Sequence, residues 1–375
     1  MQRKIWAVIV GYGNRGQVYG DYSLQQPDKF GVCGVVDVNE FKLLEAKKRY
    51  NLTDDKLYKS LDEFLSKKIK CDFIINSTMD QLHYKTAIKI LSNGYNMLME
   101  KPIVPNKKQL LNIKKVAEQN NCKVCVCHVL RYTPFYLTIK KLLKEGAIGE
   151  IMSIETNEHV CIAHYITSYV RGKWNSEEKC GSSFLLAKSC HDLDLLCWLN
   201  NGTVPVEVSS FGDRAQFVKS KKPSVATTYC YQCPLKETCV YSAKVLYEKL
   251  NAMPFLTWDR LNKPLDDITA IEKEKFLQSD IYGKCAYDIN GDIVDRQNII
   301  IKFKNGSIAT FSLVGGTTKA NRYIHIVGSK GEIEGKLEEN KFILRHAGVD
   351  TLNGKEEVIE VDKEIIIKAR YGGHS

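Results

Sequence analysis

Long apolar runs, blocks of like charge, internal repeats and low-complexity tracts are all missing from this chain of 375 residues. No stretch approaches the roughly 18 consecutive apolar residues that a membrane-spanning helix requires. Acidic residues interrupt nearly every lysine cluster, so the net charge of +10 indicates a lysine-rich surface rather than a nucleic-acid-binding site. We therefore expect a globular protein with neither a membrane nor a nucleic acid as its partner.

A secretory signal is missing as well. The basic start, Met1-Gln2-Arg3-Lys4, precedes an apolar run that breaks at Gly11, and no small-residue cleavage site follows it. Thirteen cysteines in such a chain predict a cytoplasmic location, where they act as thiols or metal ligands rather than in disulfides.

The strongest pattern that is present lies near the amino terminus. An apolar run over residues 5–10 predicts a buried strand. Gly11, Gly13 and Gly16 follow it at G-x-G-x-x-G spacing and open a helical stretch. In this pattern the first glycine makes a tight turn, the second lets backbone approach a pyrophosphate, and the third lets helix and strand pack closely.

A second apolar strand supports this reading, because it ends at Asp37, about 20 residues after the last glycine, where a carboxylate binds ribose hydroxyls. The combination predicts a dinucleotide site, and the alternative is a strand–helix turn that binds nothing. The charge of Asp37 would repel a 2′-phosphate, and Val38 and Asn39 supply no arginine, so NAD is expected rather than NADP.

The strand and helix patterns indicate two domains. Up to residue 127, apolar strands alternate with helical stretches, which predicts an N-terminal Rossmann domain with a doubly wound parallel sheet. Over residues 128–375 the strands alternate polar and apolar positions, and Asn305-Gly306 predicts a hairpin. This favours a C-terminal α/β domain with an open, largely antiparallel sheet. Residues 219–280 are the least regular, and we interpret them as an insertion.

Three motifs, in this order, resemble the Gfo/Idh/MocA family of glucose–fructose oxidoreductase, inositol dehydrogenase and rhizopine catabolism proteins. They are the glycine motif, Glu100-Lys101-Pro102 at the end of a strand, and a helix of about residues 189–199 that carries His191. A cysteine cluster before Tyr241-Ser242-Ala243 resembles one subgroup of the family. The resemblance covers essentially the whole chain.

This resemblance implies an NAD-dependent oxidoreductase that transfers hydride between nicotinamide and a hydroxyl of a sugar, sugar derivative or cyclitol. It also implies a homodimer or homotetramer. Two alternatives stay open: an NAD-dependent glycosidase that works by transient oxidation and elimination, and a non-catalytic sensor of dinucleotide or sugar.

The resemblance assigns roles to individual residues. Lys101 is expected to exchange the hydroxyl proton, and His191 to act with it. Ala187 stands where the family usually has Asp, so either Lys188 or Asp192 replaces that role or the chemistry differs. The expected cofactor contacts are Gly11, Gly13, Asn14, Arg15, Gly16, Asp37, Thr78 and Glu100. The candidate substrate contacts are Arg131, His164, Arg171, Trp174, Lys188 and Asp192.

The cysteine cluster allows several interpretations. Cys230, Cys233 and Cys239 have a spacing that can fold a loop around zinc, and Cys285 is the candidate fourth ligand. Reduced cysteines packed in the loop are an equally good interpretation, and a catalytic thiol is a weaker one.

The sequence stops at Gly372-Gly373-His374-Ser375, whereas the family usually continues from such a glycine-rich stretch into a closing helix. We expect either a naturally short form or a truncated gene.

Overall fold

The computed structural model describes residues 3–349, 352 and 354–361, which form two compact units. Unit 1 comprises the chain up to Cys127 together with Ser176–Ser182 and Pro254–Glu274. Unit 2 comprises the rest of the described chain. Two short segments from the later chain thus belong to unit 1, whereas the sequence predicts two continuous domains. The expectation about Gly372–Ser375 lies outside the described residues.

Unit 1 is built on a six-stranded parallel sheet in the order β3-β2-β1-β4-β5-β6. Its strands are β1 (Ile5–Val10), β2 (Phe30–Val36), β3 (Leu57–Tyr58), β4 (Phe73–Asn76), β5 (Met97–Met99) and β6 (Val124–Val126). The helices between them are α1 (Asn14–Gly20), α2 (Tyr22–Gln25), α3 (Glu40–Tyr50), α4 (Leu61–Ser66), α5 (His83–Ser92) and α6 (Lys107–Gln119).

The central strands are apolar on both sides because helices cover both faces of the sheet. Every residue of β2 except Cys33 is buried, and separate apolar clusters lie on its two sides. Helix α3 begins at a cap in which the Asn39 side chain accepts a hydrogen bond from the Phe41 N–H. The helical stretch predicted after the glycines is divided at Asp21 into α1 and α2, and the Asp21 carboxylate binds Arg49.

Unit 2 contains an eight-stranded sheet in the order β14-β13-β12-β11-β7-β10-β9-β8. Its strands are β7 (Ile151–Cys161), β8 (Pro205–Asp213), β9 (Arg296–Phe303), β10 (Ile308–Thr317), β11 (Tyr323–Gly328), β12 (Gly331–Lys336), β13 (Lys341–His346) and β14 (Lys355–Glu360). Among the described strands of this second sheet, only the β7–β10 pair is parallel, so the sheet is largely antiparallel. The predicted fold class is confirmed.

The remaining helices are short, and few exceed three turns. They are α7 (Pro134–Lys144), α8 (Ile162–Tyr165), α9 (Glu177–Cys180), α10 (Phe184–Ala187), α11 (Cys190–Leu199), α12 (Pro254–Thr257) and α13 (Ala270–Ser279). Between residues 219 and 280 the chain contains α12, α13 and short 3₁₀ turns, but no strand of the two sheets. In the described part of the chain, no helix is long and apolar enough to cross a membrane.

Candidate active site

The glycine turn of unit 1 has the geometry that a pyrophosphate needs. Gly11 has φ +88°, and a Cβ there would lie 2.7 Å from the Ser77 carbonyl oxygen, so a side chain is excluded. A Cβ at Gly13 would meet no described atom within 4 Å. The space beside Gly13, just before the start of α1, is therefore open to a ligand that approaches the backbone closely.

Asp37 is held in place by two backbone N–H groups at the end of β2. Tyr12 N–H donates to Oδ2 at 2.7 Å, and Asn39 N–H donates to Oδ1 at 2.8 Å. These bonds orient the half-buried carboxylate and leave lone pairs on both oxygens for ribose hydroxyls. The predicted turn and acid therefore fit the two ends of an ADP-ribose group, and Asn14 is exposed at the start of α1.

A buried carboxylate, Glu100, organises the strand end that carries Lys101. Its Oε1 accepts hydrogen bonds from Arg15 Nε at 2.7 Å and from the Tyr19 hydroxyl at 2.5 Å, and its Oε2 accepts from the Lys101 N–H at 2.7 Å. Burial alone would raise the pKa of Glu100, but Arg15 and Lys101 outweigh it and hold the pKa below its ordinary value. We call Arg15, Tyr19 and Glu100 the Glu100 group.

Tyr19 was missed by the sequence analysis. Arg15 also donates to the Tyr19 hydroxyl at 2.6 Å, and burial together with the Glu100 carboxylate raises the pKa of Tyr19. The hydroxyl therefore stays protonated and donates to Glu100. Its position one helical turn after Arg15 was the available signal, because residues four apart share a helix face.

His83 joins two loops of unit 1 beside Lys101. Its ring nitrogens lie 2.6 Å from the Pro102 carbonyl oxygen and 3.0 Å from the Thr78 carbonyl oxygen. The side chain is buried, whereas Lys101 is partly exposed. The loop after β4, with Thr78, and the loop after β5, with Lys101, are thus fixed to one another by a histidine that no sequence motif singled out.

In unit 2, His191 lies in the first turn of α11 and is buried. Its ring packs edge-on against the ring of His128, with 5.8 Å between centroids. Arg131 forms a two-pronged ion pair with Asp194 on the same helix, with Nε 2.6 Å from Oδ2, and this contact raises the pKa of Arg131. Arg131 therefore ties its turn to α11, and a substrate contact would have to compete with Asp194.

Four buried charged side chains of unit 2 form what we call the buried ion network: Glu158, Lys188, Asp192 and Arg322. Lys188 Nζ lies 3.4 Å from Glu158 Oε1, Arg322 Nε lies 2.9 Å from Asp192 Oδ1, and a second Arg322 nitrogen contacts Glu158. Their side chains are between 4% and 6% exposed. Lys188 thus pairs with Glu158, and Asp192 pairs with Arg322. Because these charges are already paired and buried, they argue against the predicted substrate contacts of Lys188 and Asp192.

Burial raises the pKa of Asp192 to about 6, and Glu158 adds to this, while Arg322 opposes it. Sequence analysis missed Glu158 and Arg322 because they lie far apart in the chain and in no motif. The alternation of polar and apolar residues in β7 only distinguishes inward from outward positions, so it does not indicate that Glu158 is buried in an ion pair.

The candidate substrate contacts between residues 164 and 174 are only partly brought together. The ring centroid of Tyr169 lies 6.2 Å from that of His164 and 6.4 Å from that of Trp174, and the latter two side chains are partly exposed. Arg171 is completely buried and donates to the carbonyl oxygens of Lys284 and Tyr241, each at 2.7 Å. This burial argues against a substrate contact for Arg171, which instead fastens the insertion to the preceding helix.

The four candidate zinc ligands line one small apolar cavity of about 30 Å³. Among the described residues, however, no group of three or more Cys, His, Asp or Glu side chains is arranged to hold a metal ion. Burial raises the pKa of Cys239 and of Cys285. The zinc prediction is therefore not supported, and Cys230, Cys233, Cys239 and Cys285 are free thiols.

Models of protein families match both halves of the chain. The NAD-binding Rossmann-fold model of the Gfo/Idh/MocA oxidoreductase family matches residues 5–128, and the model of its C-terminal alpha/beta domain matches residues 140–373. The chain belongs to the Gfo/Idh/MocA oxidoreductase family. The predicted enzyme class, an NAD(P)-dependent oxidoreductase, is confirmed by this membership.

Two relatives of this Gfo/Idh/MocA protein come from Bacillus subtilis (strain 168). YteT, which is named as an oxidoreductase, is 23% identical over 316 residues, covering 81% of this chain and 70% of YteT. The scyllo-inositol 2-dehydrogenase (NADP(+)) IolW is 24% identical over 186 residues. That alignment covers 50% of this chain and 49% of IolW, so it spans only about half of that relative.

Solved structures of the same fold include a dehydrogenase bound to a nucleotide sugar. The WlbA dehydrogenase from Bordetella pertussis, in complex with NADH and UDP-GlcNAcA, has a TM-score of 0.62 and 16% identity, covering 90% of this chain and 75% of WlbA. Levoglucosan dehydrogenase in complex with NADH has a TM-score of 0.66 and 14% identity, covering 95% of this chain and 80% of that chain. At these identities the likeness shows the fold.

Proposed function

We propose that this Gfo/Idh/MocA protein transfers hydride between NAD and a hydroxyl of a sugar, sugar derivative or cyclitol. The observation that carries the proposal is the fixed strand end of unit 1, where Glu100 accepts a hydrogen bond from the Lys101 N–H. Parallel sheets bind their ligands at this carboxyl edge, and the open glycine turn and Asp37 lie at the same edge. The dehydrogenases of inositol and levoglucosan among its relatives support the substrate class.

Gly11, Gly13 and Asp37 would hold NAD, which would supply the acceptor for the hydride from the carbon that carries the hydroxyl. Lys101 Nζ takes the proton of that hydroxyl, so the alcohol becomes a carbonyl, and it returns the proton in the reverse direction. His191 assists in binding or proton transfer. Asp37 binds the adenosine ribose and disfavours a 2′-phosphate, so NAD is expected to bind more tightly than NADP.

The test is absorbance at 340 nm after NAD and a panel of sugars, sugar acids and cyclitols are added to the purified protein. Formation of NADH with one of them supports the proposal. Release of an aglycone from a glycoside without NADH would instead favour the NAD-dependent glycosidase. NAD binding without turnover of any panel member would favour the sensor.

We also propose that the protein forms a homodimer or homotetramer through the outward face of the unit 2 sheet. Three apolar side chains at outward positions of neighbouring strands are strongly exposed: Phe211 is 82%, Ile300 54% and Ile308 46% exposed. Exposed apolar surface of this kind is typical of an interface. Sedimentation analysis should show a dimer or a larger oligomer, and a monomer at micromolar concentration would contradict the proposal.

The free thiols of the cysteine cluster favour a cytoplasmic location for the protein.

A further inference from the structure

The insertion contributes a segment to the nucleotide-binding unit. Pro254–Glu274 belongs to unit 1, although the chain before and after it belongs to unit 2. Within unit 1 the segment contacts the beginning of α3, the helix that follows Asp37. This is the end of the sheet where the adenosine of a dinucleotide is bound in the proposed function.

One contact reaches Asp37 through a single intermediate residue. The Asn39 side-chain amide donates to Asn262 Oδ1 at 2.7 Å, and the Asn39 backbone N–H donates to Asp37 at 2.8 Å. Asn39 therefore connects the segment to the carboxylate expected to bind ribose. Asn262 has φ +51°, a left-handed conformation that asparagine tolerates better than most residues.

A second contact involves Lys42, the first basic residue of α3 after Asp37. Lys42 Nζ lies 2.8 Å from Asp259 Oδ1 and 3.4 Å from Glu45 Oε2. The Lys42 side chain is 14% exposed, and Asp259 is 42% exposed. Burial alone would lower the pKa of Lys42, but Asp259 and Glu45 outweigh it and raise the pKa, so the ammonium is charged and doubly paired.

The segment as a whole is acidic. It contains five carboxylates and three basic side chains, and one of these, Lys263, is already paired with Glu272. It thus adds negative charge on the side of α3 where a 2′-phosphate would need positive charge.

We propose that Pro254–Glu274 is a cofactor-specificity element, in which Asp259 withholds Lys42 from a 2′-phosphate and Asn262 steadies the turn that carries Asp37. Discrimination against NADP then has two sources, the repulsion by Asp37 and the occupation of Lys42. This inference rests on the proposed use of NAD, and it assigns the insertion a part in choosing the cofactor.

The test measures the dissociation constants of NAD and NADP directly, by titration calorimetry on the full chain at fixed low salt. Asp259→Asn removes one of the two carboxylates that pair with Lys42. It should tighten NADP binding about 3- to 10-fold, the range for one ordinary hydrogen bond, with NAD changed less than about twofold. The matched control is Asp266→Asn, which removes the same charge from the same segment at an exposed position.

Two further variants separate a specific effect from a general loss of charge or of fold. In Asp259→Asn combined with Lys42→Met, the gain in NADP affinity should disappear. Asn262→Gly, which keeps the left-handed backbone, should weaken NAD binding about two- to fivefold. Asn51→Gly at the other end of α3, where φ is +52°, is its control and should leave NAD binding unchanged.

The outcomes distinguish this inference from the function on which it rests. If the parent chain prefers NAD but Asp259→Asn and Asp266→Asn give the same NADP affinity, the specificity element is wrong and the proposed function stands. If the parent chain binds neither dinucleotide, or prefers NADP, both the specificity element and the proposed NAD-dependent function are overturned. A tighter complex with NADP in Asp259→Asn alone, reversed by Lys42→Met, supports the inference.

Discussion

The Glu100 group of unit 1 and the buried ion network of unit 2 are both built around buried carboxylates. They differ in how exposed they are and in which parts of the chain they connect. Arg15 is 32% exposed, and the Glu100 group bonds directly to the backbone of Lys101. The buried ion network contains two acids and two bases, none more than 6% exposed, and it links α11 to two strand segments. A group that is partly exposed and bonded to the loop of the proposed acid–base residue should affect turnover, whereas a buried network with equal numbers of acids and bases should affect stability.

The largest expected effect is on turnover in unit 1. Lys101→Ala should lower kcat by a factor on the order of 10²–10⁴, the range for losing a positioned acid–base group, with NAD affinity nearly unchanged. Steady-state kinetics and NAD titration measure the two quantities. Lys107→Ala, at the exposed start of α6, is the control and should have the parent rate.

A Lys101→Ala protein that binds NAD and turns over at near the parent rate would refute the acid–base role and move it to His191. If the proposed roles hold, His191→Ala alone should cost less than Lys101→Ala. The double variant should then cost less than the product of the two losses, because both residues serve one proton-transfer step.

In unit 2 the largest expected effect is on stability. Glu158→Gln keeps the shape of the side chain but leaves Arg322 and Lys188 without one of their buried partners, so the free energy of unfolding should fall by about 3–5 kcal/mol. Urea unfolding measures it. The same substitution at Glu118, in an exposed pair with Lys114, should cost less than about 0.5 kcal/mol. Equal costs at the two sites would mean that the buried ion network does not stabilise unit 2.

The pH dependence of stability offers a finer comparison. The pKa of Asp192 is raised from 3.8 to about 6, so the folded state holds the proton more tightly than the unfolded state. The contribution of Asp192 to the free energy of unfolding is therefore fully present below pH 3.8 and is lost as pH rises through about 6. Asp192→Asn should flatten this part of the stability profile. A profile identical to that of the parent would contradict the raised pKa.

The smallest expected effect concerns a single hydroxyl of the Glu100 group. Tyr19→Phe removes one donor to Glu100 and should lower kcat about 3- to 10-fold with a loss of stability of only about 1 kcal/mol. Tyr95→Phe also removes one hydroxyl hydrogen bond, to the Ile69 carbonyl oxygen, and is the matched control. A loss of turnover that is equal in both variants would mean that Tyr19 has no particular role in positioning Lys101.

The contrast between the two groups also explains how far the sequence could predict them. The glycine turn, Asp37 and Glu100-Lys101 are local signals, because backbone conformation and the end of a strand fix where such residues lie. The buried ion network depends on pairing between β7, α11 and the residue before β11, and no local pattern specifies which charged residues meet. Strands β12 and β14 carry a weak strand signal for a related reason, since glycine and charged residues make up much of β12 and charged residues much of β14.

The predictions for residues 219–280 also show that local patterns do not specify long-range partners. The absence of periodicity led us to expect an irregular insertion, but it could not indicate that Pro254–Glu274 would join unit 1. Arg171 lies in a segment rich in aromatic and polar residues, which suggested a ligand, but its donors are used by carbonyl oxygens more than 60 residues away in the chain. Composition shows which groups are available and leaves their partners undetermined.

The discontinuity of unit 1 has a consequence for how the protein is made. Domains fold as units while the chain leaves the ribosome at about 5–20 residues per second, so the last segment of unit 1 is synthesised on the order of ten seconds after Cys127. During that interval the six strands can pair, but Lys42 and Asn39 lack the partners that Asp259 and Asn262 later supply. The nucleotide-binding domain is thus begun by the first third of the translated chain and completed only when the insertion has emerged.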